Sequence, residues 1–530
     1  MGRFFAVAAL AGAATLALFA AVLGSRGWWV LAVVLALVLL VGLYDLLQRR
    51  HSVLRNYPVV GHFRYLLEGL RPELQQYFIE RNYDGRPYDR DVRSVIYERA
   101  KGIHGEQAFG TERDVGEVGY EFLLHSTAPK DPPDEVPRVR VGGPDCTQPY
   151  DMALLNVSAM SFGALSANAI LALNKGAAAG GFAHDTGEGG LTEYHLRHGG
   201  DLVWELGSGY FGARTKDGEF DPAMFREKAG HDQVKLVSLK LSQGAKPGIG
   251  GVLPAAKVNA EIAKARGVPA GEKCVSPPYH RVFSTPRELV LFIARMRELA
   301  GGKPAGFKLC VGRRHELLAI CKAMVAEGIT PDFILVDGSE GGTGAAPLEY
   351  EDHVGTPLTE GLIMVHNALV GTGLRDRIRL GASGKVATGT DLVKRIAQGA
   401  DYTNAARAMM MAIGCIQAQR CHTNTCPVGV TTQDKRRARA LDVADKSLRV
   451  QRFQNGTVRQ AMQMIGSLGL DDPSQLHPGL LLRRIDHTTT RSYADLFDWL
   501  EPSELLTEPR KGWAHDWAAA SPDSFSRTET

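Results

Sequence analysis

The chain of 530 residues has little of what marks a nucleic-acid binder or a secreted scaffold. Its formal net charge is only +3 and no long basic run concentrates it, so charge gives no support for nucleic-acid binding, although phosphate could still be held locally. Cysteine is sparse at seven residues, and Cys146, Cys274, Cys310 and Cys321 are scattered as core thiols would be, which excludes a disulfide framework. No G-x-G-x-x-G follows an early strand-like run, so no nicotinamide-binding Rossmann segment is evident. The length suits one large domain with appendages, or two to three domains.

The remaining cysteines, Cys415, Cys421 and Cys426, crowd into twelve positions in a C-x5-C-x4-C run closed by Cys426-Pro427. Three thiolates at this spacing, with a Cys-Pro ending, suit an iron–sulfur cluster. A [3Fe-4S] cluster matches three ligands, as does a [4Fe-4S] cluster with one open iron. The plain alternative is three buried thiols in a reduced protein. Zinc would need a fourth ligand from His422 or elsewhere at unusual spacing.

The first fifty residues read as a membrane hairpin. Phe4 to Leu23 is apolar throughout, and Trp28 to Leu47 is apolar except for Asp45. Each is about as long as the roughly 20 residues a helix needs to cross a bilayer. A cleaved signal peptide would account for the first run but not for the second. Arg3 at one end and Arg49, Arg50 and Arg55 at the other outweigh Arg26 in the turn, so the positive-inside bias puts both ends in the cytoplasm. The expectation is a two-pass protein of the cell membrane with a cytoplasmic catalytic body.

Residues 51–150 are charged, irregular and rich in proline, and read as a wrap or linker. Eight short β-branched or apolar runs then alternate with helical stretches: 154–161, 183–187, 202–209, 235–242, 306–311, 332–338, 377–384 and 401–406. That rhythm predicts an α/β fold of the (β/α)8 TIM-barrel type over 151–431, with a doubly wound sheet as the alternative. A helical extension is expected over 432–500 and a mobile tail over 501–530, where Trp513 and Trp517 are the residues able to dock.

Glycine-rich clusters fall where the strands should end, the face on which barrels build active sites. They are Met160–Ala164, Thr186–Gly190, Gln243–Gly248, Asp337–Gly344 and Ser383–Lys385. Singly each could be a turn. Five in succession imply a ligand that the backbone approaches closely. The loops after strands seven and eight, with a helix starting near Ala406-Arg407, form the usual phosphate site of this barrel. A phosphate-bearing redox cofactor, most simply FMN, is expected.

These motifs, with Gly341-Gly342-Thr343-Gly344-Ala345 and the cysteine run, occur in an order that resembles the FMN-binding synthase domain of the glutamate synthase family. The resemblance covers roughly residues 150 to 435, and the whole chain is similar to a stand-alone, membrane-anchored branch. It implies reduction of 2-iminoglutarate, formed from 2-oxoglutarate and ammonia, to L-glutamate. By motif, Cys415, Cys421 and Cys426 would hold a [3Fe-4S] cluster. Gln243 and Lys246 would meet keto acid and flavin, Glu188 would line the pocket, and Arg266 would pair with a substrate carboxylate. Ser161, Lys308, Gly342, Gly384, Lys385, Ala406 and Arg407 would contact FMN.

Elementary chemistry points the same way. A dicarboxylate needs cationic donors, which the fork of Arg266 and the ammonium of Lys246 provide. Lys308 at a strand end suits the anionic character of reduced flavin, and Glu188 could relay a proton. The plain readings are a solvated helix residue for Arg266, a turn residue for Glu188 and a loop hydrogen-bonder for His280. Two departures from the family stand out. The N-terminal hairpin replaces a glutaminase domain, so ammonia is expected from outside the chain, and apolar Ile249 and Val252 stand where the large enzymes carry Glu and Gln. Electrons are expected from ferredoxin, a reductase subunit or a membrane carrier. The competing function is a membrane-linked flavin dehydrogenase that oxidises an amine or amino acid and reduces quinone; a third is an electron-transfer subunit without turnover.

Overall fold

The computed structural model describes residues 2–103 and 105–528, with the side chains of Gly2 and Arg3 outside that description; the orientation argument from Arg3 therefore lies outside the described residues. The chain divides into two compact units, Met1–Arg90 and Asp91–Thr530.

In the first unit, α1 (Gly2–Leu23) and α2 (Gly27–Leu47) lie side by side. Both are long and apolar enough to cross a membrane. Ala17, Ala21 and Ala32 are buried between them, small side chains that let two helices approach closely. Leu16, Phe19, Val30 and Leu40 point outward and are exposed. The chain continues through α3 (Ser52–Asn56) and α4 (Gly61–Leu74) into a π turn, Gln75–Ile79. The stretch read as one wrap over 51–150 is thus divided, its first part belonging with the hairpin and the rest with the second unit.

The second unit is built on a closed parallel barrel of eight strands. They are β1 (Leu155–Val157), β2 (His184–Asp185), β3 (Leu202–Leu206), β4 (Val234–Lys240), β5 (Ala305–Leu309), β6 (Phe333–Asp337), β7 (Arg379–Ser383) and β8 (Tyr402–Ala405). All eight expected strands are present, each ending earlier than expected. Thr403 opposite Leu155 closes the barrel. Such strands are covered on both faces, and every residue of β1, β3 and β5 is buried.

The crossovers are α5 (Ala167–Gly180), α6 (Pro222–Ala229), α7 (Ala260–Arg266), α8 (Pro286–Leu299), α9 (Arg314–Glu327), α10 (Leu358–Gly371) and α11 (Gly389–Ala397). Their ends follow local chemistry. Ser166 caps α5 by accepting from Ala169 N–H, and Gly181 ends it at φ 67°. Thr285 with Glu288, and Thr388 with Asp391, form capping boxes on α8 and α11. After β8 come the short α12 (Arg407–Ala412) and the long α13 (Val443–Ser467). α13 packs on α5 through Gly176, where an added Cβ would lie 2.7 Å from Ser447 O and Val450 Cβ.

The expected helical extension is present as α13, but beyond it the chain turns to strands. Leu481–Arg484 pairs antiparallel with Glu121–Leu123 and Thr490–Ser492. Within the described tail, 501–528, a helix rests on the second unit's own helices. Helix α14 (Lys511–Ala519) docks through Trp513, which is 4% exposed beneath the Arg314 guanidinium at 4.7 Å. Lys322 covers Trp517 at 4.6 Å and Arg314 bridges to Asp516. Two aromatic anchors thus hold this helix.

Candidate functional site

The pocket is assembled at the C-terminal ends of the strands. Glu188 follows β2 in a turn opened by Gly187, at φ 64°, where a Cβ would lie 2.6 Å from Ser161 N; only glycine lets this turn rest on the loop after β1. The Glu188 carboxylate accepts from Lys240 Nζ, the last residue of β4, at 2.5 Å. Both side chains are nearly covered, at 12% and 7% exposed. Gly207 and Gly251 flank the carboxylate so closely that a Cβ on either would collide with it. Burial alone would raise the Glu188 pKa, but Lys240, then Lys246 and Arg266, hold it down to about 2.

Lys246 sits in the glycine loop after β4, beyond Ala245 at φ 65°. Its Nζ donates to Ala345 O at 3.1 Å. Burial, aided by the charge of Lys240 and opposed by Glu188, draws its pKa down to about 8. Arg266 ends α7 and is buried, so the solvated-helix reading gives way. Its Nη2 donates to Phe162 O at 3.1 Å, its guanidinium lies 5.0 Å from the Phe211 ring centre, and its Nε is buried without a hydrogen-bond partner. Gln243, half-buried, shares the loop of Lys246. His280 is a loop hydrogen-bonder, with Nε2 2.8 Å from Lys240 O and Nδ1 3.3 Å from Tyr210 Oη, and burial lowers its pKa to about 4.

Beneath this pocket the barrel interior has the opposite balance. Lys308 of β5 pairs with Glu205 of β3, both almost fully covered. Asp185 of β2 and Asp337 of β6 also act on Lys308; burial would lower its pKa, but the three carboxylates raise it. Each aspartate also holds an active loop by its backbone: Asp185 accepts from Gly187 N–H at 2.9 Å and Asp337 from Gly244 N–H at 2.8 Å. Burial and the charge of Glu205 push Asp185 up to about 8, Lys308 opposing them. Lys308 thus reaches the strand ends as the hub of a carboxylate cluster.

The loops after β6, β7 and β8 meet beside it. Ser383 Oγ and Ser158 Oγ are 3.2 Å apart. Gly384, at φ 149°, sits against Gly338 N, and Lys385 adopts the left-handed conformation at φ 52°. A Cβ on Gly342 would lie 2.8 Å from Arg407 Cδ, and Arg407 Nη2 donates to Glu340 O at 2.6 Å. Ala406 is the N-cap of α12, without a side-chain cap. Open glycine backbone, an uncapped helix start and the cations Lys385 and Arg407 fit a phosphate-bearing flavin.

The cysteine loop follows directly. Gln417, Gln419 and Asn424 all have positive φ, an unusual concentration for residues other than glycine. Cys426 is buried, and Cys415 and Cys421 are half-buried. Burial raises the Cys415 pKa to about 12, with Cys421 and Cys426 adding to the effect. Burial opposes ionisation of Cys426 too, yet hydrogen bonds from Thr431, Val428 and Val430 bring its pKa below the usual thiol value. Lys257, missed in the sequence, reaches under the loop and donates to Ala164 O at 3.0 Å and Thr431 O at 2.7 Å. Among the described residues no three His, Cys, Asp or Glu side chains close around a single metal ion. The three cysteines share this loop, and backbone donors answer the Cys426 thiol.

Residues 148–471 match the conserved region in glutamate synthase. The glutamate synthase large subunit-like protein YerD of Bacillus subtilis is 37% identical over 487 residues, 84% of this chain and 92% of that protein. An archaeal glutamate synthase [NADPH] of Archaeoglobus fulgidus is 34% identical over 59% of this chain and 58% of its own length. The ferredoxin-dependent glutamate synthase of Pyropia yezoensis is 36% identical over 50% of this chain and 17% of its own. Among solved structures, a flavocytochrome b2 variant with pyruvate bound aligns at 15% identity and a TM-score of 0.39, covering 85% of this chain and 91% of that one. A mandelate oxidase variant with benzaldehyde aligns at 14% and 0.43, covering 76% and 98%.

Proposed function

As a member of the glutamate synthase family this chain is an oxidoreductase acting on CH–NH2 groups, and we propose that it aminates 2-oxoglutarate reductively, through 2-iminoglutarate, to L-glutamate. The observation that carries the reading is the charge of the strand-end pocket. Lys240, Lys246 and Arg266 surround the single carboxylate of Glu188, leaving two positive charges unanswered. Two is the charge that the two carboxylates of 2-oxoglutarate bring. Arg266 offers a fork to one carboxylate and Lys246 a point charge to the other end. Gln243 adds a neutral amide from the same loop.

The roles of Glu188 and Lys246 divide by their ionisation. With its pKa near 2, Glu188 stays charged and orients the iminium and ammonium nitrogen; it does not store a proton. Lys246, near 8, is the pocket group able to exchange a proton at neutral pH. Ser161, Lys308, Gly342, Gly384, Lys385, Ala406 and Arg407 would hold FMN, with Lys308 acting as the charged floor beneath it. When bound, FMN supplies hydride to the imine carbon, and a [3Fe-4S] cluster on Cys415, Cys421 and Cys426 supplies electrons singly.

Ammonia comes free or from a donor subunit, and electrons from ferredoxin, a reductase subunit or a membrane carrier. Helices α1 and α2 form a two-pass anchor in the cell membrane with the catalytic body cytoplasmic. The test is anaerobic: reduce the detergent-solubilised full chain and follow flavin reoxidation on adding 2-oxoglutarate with ammonium. Reoxidation with glutamate formed supports the proposal. Absence of reoxidation by a loaded enzyme, together with quinone reduction at the expense of an amino acid, would replace it with the membrane dehydrogenase reading.

A further inference from the structure

Directly after the second membrane-length helix, the chain builds an amphipathic helix whose apolar side is left uncovered. Phe63, Leu66, Leu67, Leu70 and Leu74 on α4, with Phe78 on the π turn that continues it, recur at helical spacing. At about 100° per residue they fall within one arc roughly 120° wide. All six are exposed, Phe63 at 61% and Phe78 at 81%. Arg64, Glu68, Arg71 and Gln75 fall together on the arc that adjoins it. In water such a stripe is unfavourable, and on a soluble surface it marks something that covers it.

Two further observations name the cover. The first is continuity with the spans. Asp45, fully buried in the last turn of α2, accepts from Val59 N–H at 2.8 Å and lies 2.9 Å from His62 Nε2. The start of α4 is therefore tied to the end of a helix of membrane-spanning length. Gly61 permits this tight return, since a Cβ there would lie 3.0 Å from Leu54 Cδ2. The second is charge. Between residues 48 and 79 five arginines (Arg49, Arg50, Arg55, Arg64, Arg71) face two glutamates (Glu68, Glu73), an excess suited to anionic headgroups.

We infer that residues 61–79 form an interfacial helix, lying in the headgroup layer of an anionic phospholipid leaflet with the Phe63–Phe78 stripe turned into the acyl chains. Low net apolarity with a segregated apolar face is the pattern of helices that lie on membranes and do not span them. The inference rests on the reading of α1 and α2 as membrane spans. Asp45 and His62 then set the angle at which the chain leaves the bilayer core for its surface.

The test uses the full chain in bilayers of phosphatidylcholine and phosphatidylglycerol doped with a phospholipid whose acyl chain carries a photoactivatable diazirine. After illumination, adducts are mapped by mass spectrometry. The expected result is labelling within 4–47 and, in 61–79, several-fold more on the apolar stripe than on Arg64, Glu68 and Gln75. A Leu66→Glu/Leu70→Glu chain should lose the second set and keep the first. Adducts in 4–47 with none in 61–79 would overturn the surface helix while the anchor stands. Adducts in neither would remove the membrane reading and this inference with it. Crosslinking of 61–79 to a second copy, in place of lipid, would also overturn it.

Discussion

Two charged clusters a few side chains apart in one barrel are built with opposite balance. At the strand ends, three cations surround one carboxylate: Lys240, Lys246 and Arg266 around Glu188. In the interior, three carboxylates surround one cation: Glu205, Asp185 and Asp337 around Lys308. In the interior cluster each aspartate spends an oxygen on a loop N–H, Lys308 pairs with Glu205, and Asp185 Oδ2 is buried without a hydrogen-bond partner. The outer cluster keeps a positive surplus and an Arg266 Nε with no partner. The difference is one of sign: the interior cluster has an excess of acid groups, two of which hold loops, and the outer cluster has an excess of cations that suits an anion.

The sharpest way to break the comparison is to remove the interior cation. Lys308→Met leaves the buried Glu205 carboxylate without its cation and should cost about 3–5 kcal/mol of stability. The expected outcome is a large fall in the thermal unfolding midpoint with loss of folded, flavin-loaded chain. A variant of near-normal stability would mean that the interior is wetter than its burial implies.

Next come Lys246→Ala and Arg266→Ala in the outer cluster. Each removes a hydrogen-bonding charge worth about 1.5–3 kcal/mol to a bound carboxylate. The Kd for 2-oxoglutarate should rise roughly 10- to 150-fold, with a smaller loss of stability than Lys308→Met causes. Calorimetric titration beside a melting curve checks both halves.

A gentler contrast comes from pH. Lys246, with its pKa drawn down to about 8, is charged below that pH and neutral above it. Affinity for 2-oxoglutarate should therefore fall as pH rises through about 8, and Lys246→Arg, which stays charged, should flatten that fall. In the interior the sign concerns stability. Asp185 has its pKa raised to about 8 from the usual 3.8, so the folded chain holds a proton that the unfolded chain releases. Its contribution to stability is full below the usual aspartate value and is lost as pH rises toward about 8. Asp185→Asn keeps the shape without the titration and should remove that slope, a change smallest near pH 5 and visible in denaturation midpoints at higher pH.

The outer cluster was largely legible in the sequence, and of the inner one only Lys308 at its strand end and Asp337 at the head of a glycine-rich loop were. Glu188, Gln243 and Lys246 lie in glycine-rich loops, and glycine at strand ends is a readable sign that backbone must come close to something. The eight strands were legible because their apolar runs end in such loops. Lys240, Glu205 and Asp185 lie inside strands, where a charged residue has no local partner to reveal it. Lys240 meets Glu188 across 52 positions of chain, a pairing that exists only once the barrel closes. Arg266 was half legible: its helix could be read, but its burial against Phe211 and Phe162 could not. In the tail Trp513 and Trp517 could be picked out as residues able to dock, but their cationic partners on α9 could not.

The measurement that tests the central claim most directly is calorimetric titration of the full chain with 2-oxoglutarate and with its monocarboxylate counterpart, 2-oxobutyrate. A pocket with two unanswered positive charges should bind the dicarboxylate at least roughly tenfold more tightly, the worth of about 1.4 kcal/mol, and Lys246→Ala should abolish the difference. Equal affinity for the two acids, unchanged in Lys246→Ala, would contradict the account.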